Sequence, residues 1–390
     1  MSAQVITAKA LWTGTSLVEN PVLRMEDEKI VSLESRGETG AAVRGALDFP
    51  GATLAPSFFD VHIHGSAGHD VMEATPEALG TIGGFLATRG VARYLATTVT
   101  ASVDATLQAL EGLARLIEKP DAVTAGGKAC AQPIGIHLEG PFLSSAKCGV
   151  QPKEHLLAPS IATFDRFFEA AQGHVHLMTI APELPGAVEL IAHAATRGVR
   201  SSLGHTNAVS VEVQPAIAAG AASATHTYNA MRSLNHREPG ILGEVLATDS
   251  LYAELICDGL HVAPEAVKIW FRSKGENRAI LVTDAMSAAG MPDGEYTLGG
   301  FPVQVAGGKA TARGVLAGST LTLDRALANF LRFTGAPLVS GLRLLTTNPA
   351  AMTGLNARGA GVLAVGSPAN LVAVDAEGKL LASVVEGRRA

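Results

Sequence analysis

The composition of this 390-residue chain, with 47% hydrophobic and 17% charged residues, is that of a folded protein with a large core, and it excludes a disordered chain. The formal net charge is −6 and lysine and arginine form no block, so we expect neither nucleic acid nor an anionic membrane as a partner. Only three cysteines occur, and we find no basic-then-apolar leader and no run of about 18 apolar residues. These features predict a cytoplasmic protein without a disulfide framework.

Both ends of the chain have the alternating pattern of β-strands. The candidate strands are residues 22–25, 29–33, 371–374 and 380–385. A sheet of two or three strands is at best marginally stable alone, because it buries too little apolar surface. We therefore predict one small β-sandwich domain built from both termini, residues 1–55 and 355–390.

Between the two ends, short apolar runs alternate with helix-like stretches, which is typical of repeated βα units. Eight strands are predicted at residues 57–64, 93–98, 134–139, 175–180, 200–205, 222–226, 252–258 and 279–284. Helices are predicted at 76–88, 104–118, 185–196, 264–272 and 321–333. The first four begin with proline or aspartate, and Gly90 and Gly198 follow two of them, as helix starts and ends favour. The predicted fold class is α/β, a (β/α)8 TIM-like barrel over residues 56–354.

Five of the predicted strands end in potential metal ligands. The residues concerned are His62, His64, Glu139, His205, His226 and Asp284. The ends of parallel strands meet only at the C-terminal mouth of a closed barrel, where imidazole and carboxylate groups suit zinc, iron or manganese. The pattern therefore predicts a metal-dependent hydrolase. Polar residues that cap strands at a solvated mouth are the alternative, which explains one or two of these residues more readily than all six.

His137 lies two residues before Glu139 and faces the same way but deeper in the predicted barrel. A histidine in that place is predicted to be hydrogen-bonded in the core, or to support a ligand, rather than to bind the metal.

Several segments resemble the N-acetylglucosamine-6-phosphate deacetylases of the amidohydrolase superfamily. They are residues 135–142 (GIHLEGPF), 202–208 (SLGHTNA), 225–231 (THTYNAM), 237–240 (REPG), 256–262 (ICDGLHV) and 281–285 (LVTDA). The resemblance runs from the HxH pair to the tail and covers nearly the whole chain. It implies a two-domain enzyme, a barrel with a small β-sandwich, that removes acetate from the phosphorylated amino sugar.

The resemblance also implies roles for individual residues. Glu139, His205 and His226 would bind the principal divalent metal, zinc above iron or manganese, and Asp284 would be the acid/base. Positions that hold the sugar phosphate and acyl group in the family correspond to Val150, Asn229, Ala230, Arg237, Asp258, Gly259, Leu260, His261, Leu316, Ala317 and Gly318. Family members are typically oligomers in which a phosphate ligand reaches across the subunit interface, so a homodimer or higher oligomer is expected.

Three features bear on the details of that resemblance. Some family members lack the HxH pair and hold one metal, whereas others retain it, so His62 and His64 leave one or two ions open. Gln151 stands where many relatives carry a histidine, which bears on substrate contacts. Asn370 stands where the superfamily often has aspartate.

Other functions remain as alternatives. The substrate could be the galactosamine epimer, since epimers differ at one hydroxyl. A cyclic amidase of the same superfamily would commonly use a bridging lysine on the fourth strand, and residues 175–180 contain none. A non-catalytic sugar-phosphate sensor or assembly protein would not need Asp284 beside the ligands. Arg237 could simply pair with Glu238 at the surface.

Overall fold

The computed structural model describes residues 4–37, 43–358 and 360–390. The strands are β1 (Gln4–Trp12), β2 (Leu17–Glu19), β3 (Pro21–Glu26), β4 (Lys29–Ser35), β5 (Leu47–Pro56), β6 (Phe58–Ile63), β7 (Gly65–Ser66), β8 (His69–Asp70), β9 (Val91–Thr98), β10 (Gln132–Glu139), β11 (Val175–Ile180), β12 (Arg200–Leu203), β13 (Ala221–Ala224), β14 (Tyr252–Ile256), β15 (Ala279–Val282), β16 (Gly294–Leu298), β17 (Phe301–Ala306), β18 (Lys309–Ala312), β19 (Val315–Leu316), β20 (Leu371–Val374), β21 (Leu380–Val385) and β22 (Arg388–Arg389).

The α-helices in the same ranges are α1 (Pro76–Ala87), α2 (Val103–Glu118), α3 (Ile161–Ala170), α4 (Ala187–Thr196), α5 (Ser210–Ala218), α6 (Gly240–Ala247), α7 (Pro264–Arg278), α8 (Leu323–Thr334), α9 (Leu338–Leu345) and α10 (Thr347–Thr353). Short 3-10 helices cover Val71–Glu73, Pro120–Ala122, Lys153–His155 and Leu355–Arg358. None of the helices in the described ranges has the length and apolar character that a membrane crossing requires.

The central sheet is the predicted parallel barrel. Its strand order is β6-β9-β10-β11-β12-β13-β14-β15, and every neighbouring pair is parallel. The first and last strands meet where the Asp284 N–H donates to the His62 carbonyl at 2.9 Å, and where Thr283 Oγ1 donates to Asp60 Oδ2 at 2.6 Å. These contacts close the sheet, so the (β/α)8 prediction is confirmed.

All eight predicted barrel strands and all five predicted helices are present, with shifts at their ends. The strands β12 and β13 stop two residues before His205 and His226, so those ligands lie just beyond the strands. The helix α7 extends past residue 272 and contains a kink at Gly275, whose φ is 61°. The predicted helices did not include α3, α5, α6, α9 or α10; α5 contains Pro215, which is unusual inside a helix.

A small antiparallel sheet, β16-β17-β18-β19, is inserted between β15 and α8. No strand is predicted for this segment, although the pairs Gly299-Gly300 and Gly307-Gly308 separate its alternating runs and are hairpin signals. Leu298 and Val303 of this sheet belong to an apolar cluster that also contains Val99 and Met286. The inserted sheet therefore packs on the mouth of the barrel.

The two termini form one mixed sheet in the order β22-β21-β20-β5-β1-β3-β4, with β2 beside β1. The strand β5 pairs parallel with β1 and antiparallel with β20, which joins the two ends of the chain. The Ile30 N–H of β4 donates at 3.0 Å to the Ser367 carbonyl, which lies shortly before β20 in the chain. This hydrogen bond brings β4 back to the β20 side, so the sheet curves around an apolar core that includes Leu23, Leu54 and Leu371. The predicted terminal unit is present; the domain limits at residues 55 and 355 stay a prediction.

Candidate active site

Six side chains converge at the C-terminal mouth of the barrel, and all six are buried. They form two groups, each with its ligand atoms within 4.8 Å of one another. The first, here called the Glu139 group, contains Glu139, His205 and His226; the second, the His62 group, contains His62, His64 and Asp284. The structure thus brings together every predicted metal ligand.

The Glu139 carboxylate lies between the two groups. Its Oε1 is 3.0 Å from Nε2 of His226, 3.2 Å from Nε2 of His205 and 3.4 Å from Nε2 of His62. Its Oε2 is 3.2 Å from Nε2 of His64. One carboxylate therefore faces four imidazole rings, two from each group.

Three of the six side chains are aimed by an unusual backbone conformation. The φ angles are 48° for His205, 30° for His226 and 49° for Asp284, all in the left-handed region. That region is uncommon for residues other than glycine and costs about 1–3 kcal/mol, and such residues cluster at functional sites. Each lies two residues after a strand end, so the chain turns sharply there and directs the side chain toward the barrel axis.

The second ring nitrogens of two of the ligand histidines, His64 and His205, face backbone carbonyls. Nδ1 of His64 is 3.0 Å from the Thr97 carbonyl, and Nδ1 of His205 is 3.0 Å from the Lys147 carbonyl. A carbonyl only accepts, so both rings carry a proton on Nδ1 and direct Nε2 at the centre. This arrangement is common for histidines that bind metals.

The donor set fits a divalent cation. Nε2 of His62 is buried and forms no hydrogen bond among the described residues, although it lies 3.5 Å from Asp284 Oδ1. A buried polar nitrogen without a hydrogen bond is costly, and a cation between it and the carboxylates would satisfy it. Imidazole nitrogen with carboxylate oxygen suits zinc, iron or manganese.

The pKa values of His62, His64 and Asp284 are shifted more by the pairing of imidazole with carboxylate groups than by burial. Burial alone would lower the histidine pKa values, but Glu139 and Asp284 raise the pKa of His62 well above its usual value and that of His64 to about 9. Burial alone would raise the pKa of Asp284, but His62 and His64 outweigh it and lower that pKa. Both carboxylates are therefore anionic near pH 7.

His137 lies beneath the centre, as expected for a core histidine. It is fully buried, and its Nε2 is 2.8 Å from Thr179 Oγ1. Burial holds its pKa well below the usual value, with the nearby His62 adding to the effect. His137 belongs to neither ligand group, so the prediction of a hydrogen-bonded core residue is confirmed.

A cavity of about 370 Å³ opens onto the centre. Of the predicted substrate residues, Val150, Asn229, Ala230, His261, Leu316 and Gly318 line it, together with His64, Glu139, His205, His226 and Asp284. Gly149, Leu298 and Val315 also line the cavity and are not among the predicted site residues. Leu298 and Val315 form an apolar wall that comes from the inserted sheet, which was not predicted.

The remaining predicted substrate residues do not line the cavity. Arg237 is exposed, and it forms no ion pair among the described residues, while Glu238 Oε1 accepts from the Ser210 N–H instead. Ala317 is buried beside the two lining residues Leu316 and Gly318, and the neighbours Gly259 and Leu260 lie outside the cavity, Leu260 being 55% exposed.

Asp258 acts on the cavity indirectly. Its Oδ2 is 2.6 Å from Nδ1 of His261, and its Oδ1 accepts from the His261 N–H at 2.8 Å. The carboxylate therefore fixes the orientation of the His261 ring, whose other nitrogen is left for a ligand in the cavity.

Two residues with contacts to the centre were not assigned to it from the sequence. Gln151 accepts from the Thr100 N–H at 2.8 Å and donates from Nε2 to Glu139 Oε2 at 2.8 Å. Glu254 of β14 is fully buried, and its Oε2 lies 3.2 Å from Nδ1 of His62. A carboxylate in the middle of an otherwise apolar strand was the available signal for Glu254.

Comparison with known proteins places the chain in a family. The model of the amidohydrolase family matches residues 53–389. N-acetylgalactosamine-6-phosphate deacetylase of Escherichia coli O157:H7 is 37% identical over 95% of each chain. N-acetylglucosamine-6-phosphate deacetylase of Bacillus subtilis (strain 168) is 35% identical over 97% of this chain and 94% of that protein.

Solved structures agree with the sequence comparisons. A mutant of N-acetyl-D-glucosamine-6-phosphate deacetylase from Mycobacterium smegmatis, in complex with N-acetyl-D-glucosamine-6-phosphate, is 32% identical and superposes with a TM-score of 0.90 over 100% of this chain and 99% of that one. The enzyme from Thermotoga maritima is 32% identical, with a TM-score of 0.84 over 97% of both chains. The chain belongs to the amidohydrolase family, within the group that contains the N-acetylglucosamine-6-phosphate deacetylases.

Proposed function

We propose that this protein is a metal-dependent hydrolase that converts N-acetylglucosamine 6-phosphate to glucosamine 6-phosphate and acetate. The observation that carries the proposal is the placement of Asp284, an anionic carboxylate in the wall of the cavity, beside two groups of metal ligands. The N-acetylgalactosamine 6-phosphate epimer is the second candidate substrate, because the relative that is 37% identical bears that name.

We assign the principal ion to the Glu139 group and a second, weaker ion to the His62 group. Zinc is the metal we expect, with iron and manganese as alternatives. When bound, the metal lowers the pKa of water and polarises the acetyl carbonyl. Glu139 is placed to hold both ions because its two oxygens face different histidines.

Asp284 acts as the acid/base in this proposal. Its carboxylate accepts a proton from the water whose oxygen attacks the acetyl carbon. When the C–N bond breaks, Asp284 returns that proton to the amine nitrogen, which leaves with the sugar. His62 and His64 lower the pKa of Asp284 against the effect of burial, so the carboxylate is anionic near pH 7, which is the form that can accept a proton. His261, held by Asp258, lies in the wall of the same cavity and is placed to orient the substrate.

Arg237 is the proposed partner of the phosphate, which carries a charge of about −1.5 to −2 at pH 7. A guanidinium can bind it with two hydrogen bonds. Because Arg237 is exposed and outside the cavity, we propose that it acts near a subunit interface in a homodimer or higher oligomer. The free thiols of Cys130, Cys148 and Cys257 support the further proposal of a reducing, cytoplasmic location.

The phosphate assignment is tested by Arg237→Ala. We expect KM for the phosphorylated substrate to rise by about 10- to 150-fold, which corresponds to about 1.5–3 kcal/mol of charge-assisted bonding. Turnover of the unphosphorylated sugar should barely change. The exposed Arg272 of α7 provides a control, Arg272→Ala, for the loss of one positive charge. Equal losses with both substrates would show that Arg237 is structural.

The activity itself is tested by acetate release from both acetylated hexosamine 6-phosphates, with and without a chelator. We expect acetate release from N-acetylglucosamine 6-phosphate, and we expect the chelator to abolish it. Faster release from the galactosamine compound would replace the proposed substrate with its epimer. No release from either, together with hydrolysis of a cyclic amide, would support the cyclic amidase; binding without any hydrolysis would support a sensor.

A further inference from the structure

Glu254 is a buried carboxylate whose position needs an explanation. It lies in β14 and is fully inaccessible to solvent. Its strand neighbours Ala253, Leu255 and Ile256 are apolar and equally buried. Burying an ionised carboxylate is costly unless it is paired and hydrogen-bonded. The Glu254 carboxylate therefore requires partners that offset the free energy of its burial.

Glu254 contacts both ligand groups. Its Oε2 is 3.2 Å from Nδ1 of His62 and 3.4 Å from the N–H of His226. Its own carbonyl accepts from the Thr227 N–H at 2.8 Å. Glu254 thus contacts the ring of His62 and the backbone of His226, which belong to different ligand groups.

The contact of Glu254 with His62 differs in kind from the Nδ1 contacts of His64 and His205. Nδ1 of His64 and Nδ1 of His205 face neutral carbonyl groups, whereas Nδ1 of His62 faces a carboxylate. A carboxylate that accepts from Nδ1 fixes the tautomer and makes Nε2 a stronger donor to a metal. His62 should therefore be the ligand that depends most on its supporting residue.

The contact of Glu254 with His226 involves the backbone of the ligand rather than its ring. His226 has a φ of 30°, a conformation that persists only where the surroundings hold it. The hydrogen bonds from the His226 and Thr227 N–H groups to Glu254 hold the backbone in this place.

We propose that Glu254 is a positioning residue that joins the two ligand groups, by fixing the ring of His62 and the backbone of His226 at the same time. The inference rests on the proposed metal-dependent function. The affinity of the protein for its metal, and above all for the ion held by the His62 group, therefore depends on the Glu254 carboxylate.

The test uses Glu254→Gln, which keeps an acceptor for His62 without the charge, and Glu254→Met, which keeps the size and removes both. Gln132→Met is the matched control, because Gln132 is also buried and starts β10, at the end of the barrel remote from the ligands. Zinc affinity is measured by competition with a chelator, and cobalt-substituted protein is examined by visible absorption. Melting temperatures of the metal-free proteins record any change in folding.

We expect Glu254→Met to weaken the more weakly bound zinc by about 10- to 100-fold, Glu254→Gln to weaken it less, and both to alter the cobalt spectrum. The control should match wild type in affinity and spectrum. If both Glu254 variants bind zinc as the control does, the inference is wrong, even if their melting temperatures fall. If Glu254→Met does not fold, the comparison of Glu254→Gln with wild type decides. No substrate is used, so a failure of the deacetylase proposal would appear separately, as a wild-type protein that binds zinc but releases no acetate.

Discussion

The two ligand groups differ in how the fold builds them. The Glu139 group comes from β10, β12 and β13, which lie on one side of the barrel, and all its members line the cavity. The His62 group comes from the ends of β6 and β15, the two strands whose meeting closes the barrel, and His62 itself is sealed from the cavity. The first group needs only the consecutive strands β10 to β13 in register, whereas the second exists only when the barrel is closed. Metal binding by the Glu139 group should therefore depend less on the closure of the barrel than metal binding by the His62 group.

The largest expected effect comes from removing the residue that the two groups share. Glu139→Ala should abolish metal binding and acetate release together, because the carboxylate contacts the rings of His62, His64, His205 and His226. Elemental analysis, acetate release and far-UV circular dichroism check this, with the exposed Glu169 of α3 altered to alanine as the control. Full metal occupancy in Glu139→Ala would show that the two groups do not depend on this carboxylate.

The next effect separates Asp284 from the rest of its group. Asparagine keeps the shape of aspartate but accepts no proton, so Asp284→Asn should lower kcat by about 10²- to 10⁴-fold. Occupancy of the Glu139 group and KM should stay near wild type. Loss of the ion held by the Glu139 group in this variant would make Asp284 chiefly a ligand. A near-normal kcat would transfer the acid/base role elsewhere, with His261 as the next candidate.

The same substitution in each group compares the groups directly. His226→Gln should remove the principal ion and the activity, whereas His62→Gln should lose only the second, weaker ion. Metal stoichiometry under metal-replete conditions measures both. If wild type binds about one ion per chain and His62→Gln binds the same number, the proposal of a second ion is wrong.

The smallest effect is a dependence of metal binding on pH. In the metal-free protein the pKa of His64 is raised to about 9, because Asp284 and Glu139 outweigh the opposing effect of burial. A cation at Nε2 must displace that proton, so affinity should increase with pH, by about tenfold per unit for each proton released, and level off above about pH 9. Chelator competition between pH 6 and 10 checks this. A flat profile would mean that His64 does not bind the cation.

The sequence by itself determined the parts of the protein that depend on local patterns. Eight apolar runs predicted the eight barrel strands, and polar residues at the ends of five of them predicted both ligand groups. This was possible because the C-terminal ends of parallel strands always share one rim, so the position of a residue along its strand decides whether it reaches the mouth. The specific motifs around Glu139, His226 and His261 predicted the family, which the comparisons confirmed.

Only the tertiary structure decided which side chains support those ligands. Glu254 and His62 are 192 residues apart and meet because the closed barrel sets their strands at this distance. Gln151 comes from a loop, and its contact with Glu139 depends on the path of that loop past Thr100. The left-handed backbone of His205, His226 and Asp284 is likewise imposed by its surroundings, since none of these residue types requires it. Local patterns cannot encode contacts between distant segments, because those contacts depend on how the strands curve, close and pack.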